Sequence, residues 1–143
     1  MPADLIEAEV PGDVATTVDR VTAALHARGV TLFATIDHAA GARAVGLALP
    51  DEVVLVFGNP AGGTALMQAD PRAGIDLPLR LLVWSHSGTT RVAYRDPQEL
   101  ADGFAVDGAR ETLGRLRGLL DQLAAEAAGG ESAPAVNLPA TGC

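Results

Sequence analysis

Lysine is absent from the chain, and cysteine occurs once, as the last residue, Cys143. Without lysine there is no side chain of the kind a nucleotide-binding P-loop uses to reach the β- and γ-phosphates. A single thiol supplies neither a disulfide framework nor a thiolate cluster. Three dispersed histidines add no recognisable ligand set, so neither a metal nor a cofactor is expected. Aromatic residues are few (Phe33, Phe57, Phe104, Trp84 and Tyr94), which leaves Val, Leu and Ala to fill the core. No apolar run approaches the ~20 residues that span a bilayer, so no membrane partner is expected. The opening MPADLIEAEV has no basic region followed by an apolar segment, which argues against a secretory signal and for a cytoplasmic protein. Basic residues are also outnumbered. Ten arginines against 18 acids give a net charge of -8, which opposes non-specific attraction to nucleic acid.

What is present suffices for a core. With 143 residues, 48% of them hydrophobic, the chain reads as one domain over residues 1–128. From Gly129 the composition turns to Gly, Ala, Pro and Ser, and residues 129–143 read as a disordered tail. Leu138 to Gly142 match the sortase pentapeptide, but without the apolar span and basic tail of a sorting signal they read as a chance match or an engineered tag rather than a wall anchor.

Residues 4–10 read as a first strand closed by Pro11-Gly12. Asp13 then caps a helix whose Val14, Val18, Val21 and Leu25 form one apolar stripe, with Gly29 as its stop. A second strand, 31–36, leads to Asp37-His38 and an alanine-rich helix reaching about Leu47, with Asp37 at the cap position. Strands at 79–84 and 91–94 flank a polar hairpin loop, 85–90, that exposes His86 at its tip. Asp96-Pro97 starts a short helix that stops near Gly103. A long helix from about Asp107 carries Leu113, Leu116, Leu120 and Leu123, which should cover the same sheet face as the first helix. Gly114 and Gly118 on that helix suggest close approach of another helix, within the chain or across a subunit interface.

The stretch from 53 to 84 organises the rest. Val53 to Phe57 read as a buried strand that breaks at Gly58-Asn59-Pro60; a glycine-containing loop and a short helix, 65–69, follow, ended by Asp70-Pro71. Gly58 and Gly63 have P-loop separation and Thr64 follows, yet the lysine is missing. A tight strand-to-helix turn is the simpler reading, with a weak anion site at the helix start left open.

At FATIDHAA (33–40), FGNPAGGTALMQADPRAGIDLPLRLLVW (57–84) and VAYRDPQELA (92–101) the chain resembles the bacterial and archaeal family called domain of unknown function 302, over about residues 5–125. The resemblance implies an α+β fold of two layers, an antiparallel-rich sheet of about five strands covered by helices. Its expected order is TATA-binding-protein-like, strand, helix, four strands, helix, assembled as a homodimer. The motif positions it carries are Asp37, His38, Gly58, Asn59, Pro60, Gly63, Thr64, Met67, Asp70, Asp76, Leu77, Pro78, Arg80, Trp84, Tyr94 and Asp96. Where the family commonly has lysine after the Gly-Asn-Pro turn this chain has Ala61. The family brings no established reaction.

Two functional expectations follow. The leading one is a homodimeric, non-catalytic module binding a small molecule or a protein partner, with a pocket formed by Asp37, His38, Asn59, Thr64, Met67, Asp70 and Arg80. The alternative is an enzyme using His38 as acid or base, oriented by Asp37 or Asp70, with Arg80 holding a small anionic substrate.

Overall fold

The computed structural model describes residues 4–129. Five segments become strands: β1 (Ile6–Val10), β2 (Thr31–Asp37), β3 (Glu52–Gly58), β4 (Leu79–His86) and β5 (Thr89–Tyr94). They form one sheet, ordered β1-β5-β4-β3-β2, in which every neighbouring pair is antiparallel. Between and after them run α1 (Val14–Ala27), α2 (His38–Ala44), α3 (Pro60–Ala69), α4 (Leu100–Gly103) and α5 (Arg110–Ala127). Single-turn 3-10 segments precede α4 and α5, and a longer one, Pro71–Asp76, links α3 to β4. The chain is therefore α+β with a five-stranded antiparallel sheet, as the resemblance implied. α2 and α3 add to the minimal strand-helix-four strands-helix order.

Strand alternation decides which face is packed. Val53, Leu55 and Phe57 of β3, Leu81 and Val83 of β4, and Val92 and Tyr94 of β5 are buried on one face. There they join Val14, Val21 and Leu25 of α1 with Leu120, Leu123 and Ala127 of α5 in one core. The α1 stripe and Leu120 and Leu123 of α5 thus cover the same face, whereas Leu113 and Leu116 turn away to α3. A second cluster of Leu66, Ala73, Val106, Ala109, Leu113 and Leu116 joins α3 to the start of α5. Asp13 caps α1, accepting from the Thr16 N–H at 2.8 Å.

Three boundaries differ from expectation. α3 runs from Pro60, not Ala65, so the glycine loop is helix: Asn59 caps it, Pro60 takes the first-turn position where a missing N–H costs nothing, and packing against α5 outweighs about 1 kcal/mol of lost propensity at each of Gly62 and Gly63. α2 stops at Ala44 rather than near Leu47. The hairpin between β4 and β5 needs only Ser87 and Gly88, which both take positive φ (51° and 83°), the geometry that matches strand twist. His86 is exposed beside that turn. A Cβ at Gly114 or Gly118 would meet nothing within 4 Å, so the close helix approach expected there is not made within the described residues. The tail expectation lies outside the described residues beyond Gly129.

Candidate functional site

Antiparallel register decides which of the seven candidate residues meet. Asp37 stands opposite Val53 at one end of the β2/β3 pair, and Thr31 stands opposite Gly58 at the other. From Val53 to Gly58 is roughly 17 Å at about 3.3 Å per residue. Asp37 and His38 are therefore held a strand length from Asn59, and the expected single hollow is not formed.

The individual environments are as informative. The Asp37 carboxylate caps α2, accepting from the Ala40 N–H at 2.9 Å, and His38 is exposed at the first helical position. Asn59 caps α3 through the Ala61 N–H at 3.0 Å. Thr64 and Met67 are exposed on α3, and the Met67 sulfur lies 3.1 Å from where a Cβ on Gly74 would sit, so the 3-10 segment packs tightly there. Asp70 is buried at 5% exposure and fully occupied. It accepts from the Arg72 backbone N–H (3.0 Å), from Arg72 Nε (3.1 Å) and Nη2 (2.9 Å), and from the Ala105 N–H (2.9 Å). The Arg72 guanidinium first, and then the Ala105 N–H, hold its carboxyl far below the usual aspartate range. Asp70 thus ties the α3–β4 connection to the segment before α5. It lies on a connection that leaves β3 at Gly58 and rejoins the sheet where Leu79 faces Phe57, at the far end from His38. That placement removes Asp70 as an orienting carboxylate for His38.

A cavity of about 410 Å³ lies elsewhere, where the start of β1 meets the Asp96–Asp102 segment and α5. Its polar wall includes Asp4, Asp96, Glu99, Asp102 and Arg117. Arg117 is already engaged: Nη1 donates to Asp96 at 2.6 Å and Nε to both Asp121 oxygens at 3.0 and 3.1 Å. Tyr94 donates its hydroxyl to Asp121 at 2.6 Å. Burial, then the contact with Asp121, pushes the Tyr94 phenol well above its ordinary value. Burial acts to raise Asp121 too, but the bonds from Tyr94 and Arg117 outweigh it and hold the carboxyl below the ordinary value. The wall is acidic and its guanidinium is committed, so this cavity lacks the free cation that a small anionic substrate requires. Tyr94 and Asp96 were among the resembling positions. Arg117 and Asp121 were missed, although their i, i+4 spacing on a helix is a readable pairing signal.

The remaining candidate, Arg80, belongs to the sheet face that α1 and α5 leave uncovered. By register this face carries three rows: Ala34–Val56–Arg80, Ile36–Val54–Leu82–Ala93–Glu7 and Glu52–Trp84–Arg91–Glu9. Val54, Val56, Leu82 and Trp84 stay partly exposed, and Ile36 is 45% exposed. Phe33, at the β-bulge between Leu32 and Ala34, adds a 54% exposed ring on the β2 edge. Arg91 pairs with Glu7 and Glu9 on β1. Among the described residues neither Arg80 nor Glu52 has an ion-pair partner. Among the described residues, too, no group of three or more His, Cys, Asp or Glu could hold a metal, and no helix is long and apolar enough to cross a membrane.

"Fluoride-specific ion channel FluC 1" of Brucella suis biovar 1 (strain 1330) is 40% identical over 103 residues, 71% of this chain and 41% of that protein. The protein of the same name from Brucella abortus biovar 1 (strain 9-941) is also 40% identical over 103 residues, 71% of this chain and 38% of that protein. The chain spans about two-fifths of the length of these relatives. The crystal structure of an uncharacterized conserved protein DUF302 from Bacillus stearothermophilus superposes with a TM-score of 0.78 at 18% identity, covering 86% of this chain and 97% of that one, and so shares the fold. The family model "Domain of unknown function DUF302" matches residues 6–123, and with most of the described residues inside that match the chain belongs to the DUF302 family.

Proposed function

We propose that this DUF302 domain is a non-catalytic binding module whose protein partner is a second copy of the chain, so that it works as a homodimer. The observation that carries the reading is the second face of the sheet. An antiparallel sheet with one face in water alternates apolar with polar residues, whereas Val53 to Phe57 and Leu81 to Trp84 are apolar on both faces. An apolar centre with charged residues at its edges is also the anatomy of a protein interface. The Brucella relatives add support, because there a similar segment forms part of a longer chain named as an ion channel, the arrangement expected of a module that works joined to other machinery. The enzyme alternative gains no support from the geometry: Asp37 is spent on a helix cap and Asp70 on a loop tie.

Native mass spectrometry and sedimentation velocity over a range of concentrations test the reading. A species of twice the 14.6 kDa chain mass is expected, forming as concentration rises. A monomer at every concentration would overturn the homodimer.

A further inference from the structure

We infer that the two copies meet through the open sheet face, with their strands antiparallel and Arg80 of each copy lying over Trp84 and beside Glu52 of the other. This rests on the homodimeric reading and names its surface. Arg80 faces Val56 toward one end of the sheet, and Glu52 faces Trp84 at the other, four residues along β3 from Val56, or roughly 13 Å. Between them runs the row Ile36–Val54–Leu82–Ala93, uncharged until it reaches Glu7 on β1, whose carboxylate Arg91 of the same copy already holds at 3.4 Å. A symmetric dimer must use the same patch twice, so the face has to be complementary to itself. A two-fold axis in the interface plane, perpendicular to the strands and passing through the Val54–Leu82 row, achieves that. It lays apolar centre on apolar centre and sets each Arg80 on the partner subunit's Trp84 and Glu52, where an ion pair and a cation–π contact become available. The other in-plane axis, along the strands, puts the Arg80 end on the Arg80 end and crowds like charges.

The size of the face sets the strength. Five strands about 4.8 Å apart and about five residues long give on the order of 400 Å² in projection. A standard interface uses about 800 Å² per partner, so the dimer should dissociate on dilution.

Charge reversal tests the arrangement. Sedimentation velocity would compare wild type with Arg80→Glu, Glu52→Arg and the double variant, with circular dichroism and thermal midpoint as the check on folding. Each single reversal should weaken dimerisation by about tenfold or more, and the double reversal should restore most of it. Trp84, the one tryptophan, gives a second readout on the unaltered protein: its emission should shift to the red as wild type is diluted. A wild-type dimer indifferent to all three variants, with no shift on dilution, overturns this surface while leaving the homodimer standing. Single variants that weaken the dimer without rescue in the double overturn the antiparallel arrangement. A monomeric wild type overturns the homodimer itself.

Discussion

Tyr94→Phe removes one oxygen and leaves the ring in place at the junction of β5 and α5. The lost interaction is the 2.6 Å bond to Asp121, the link that joins the buried end of the sheet to the Asp121–Arg117–Asp96 chain. A hydrogen bond to a charged group contributes about 1.5–3 kcal/mol, and the 48% exposure of the Asp121 side chain lets water replace part of it, so the expected loss is about 1–2 kcal/mol. For a domain of this size that corresponds to a fall of roughly 3–10 °C in Tm. Urea titration followed by Trp84 fluorescence reads it directly, with an unchanged m-value if the unfolded state is unaffected. The pH dependence supplies an independent check. The native phenol is held protonated, first by burial, at pH values where the unfolded chain ionises it. Its folded value is raised, so the contribution of tyrosine is complete below about pH 10 and is lost as pH climbs toward the folded value. The gap between wild type and Tyr94→Phe should therefore narrow above about pH 10. Equal stability within about 0.3 kcal/mol at pH 7, below what any buried charge-assisted bond contributes, would refute the argument. So would parallel pH profiles.

Three further substitutions probe the remaining ties. Asp70→Asn should lower Tm at neutral pH and flatten the acid limb: the Asp70 carboxyl is depressed in the fold, so its contribution is present above the ordinary aspartate value near ~4 and is lost as pH falls through the folded value. Circular dichroism against pH would check this, and identical acid limbs would count against it. Leu55→Ala, at a site with 0% exposure under α1, should cost about 2–5 kcal/mol by urea titration, since the surrounding sheet cannot collapse onto the vacated space. Asn59→Ala should cost about 1 kcal/mol through the lost cap on α3, and a far larger loss would show that Asn59 supports more than one helix turn.

Much of the fold was legible because its signals are local. Asp13, Asp37 and Asp96 were readable as caps from residue type and position, and each accepts from a first-turn N–H. The α1 and α5 stripes were readable from spacing; α1 with Leu120 and Leu123 is buried on the sheet, while Leu113 and Leu116 pack with α3. α3 was half hidden, because Gly62 and Gly63 lower intrinsic helix propensity while the contact of Leu66 with the α5 leucines, which favours the helix, is made some fifty residues later in the chain.

The candidate site was illegible for a topological reason. Polar residues clustered after strands converge when strands are parallel, since the carboxyl ends then share one edge of the sheet. In an antiparallel pair consecutive strand ends alternate. Asp37-His38 follows β2 and Asn59 follows β3, so once β2 and β3 pair antiparallel the two motifs must point to opposite ends whatever their chemistry. What register does collect on one side is the set spaced by two: Glu52, Val54 and Val56 on β3 with Arg80, Leu82 and Trp84 on β4. In the sequence they lie in or next to two separate apolar runs, Val53 to Phe57 and Leu79 to Trp84. Their common face became visible only with the pairing, and it is the pairing that turns Arg80 from a pocket residue into one end of a self-complementary surface.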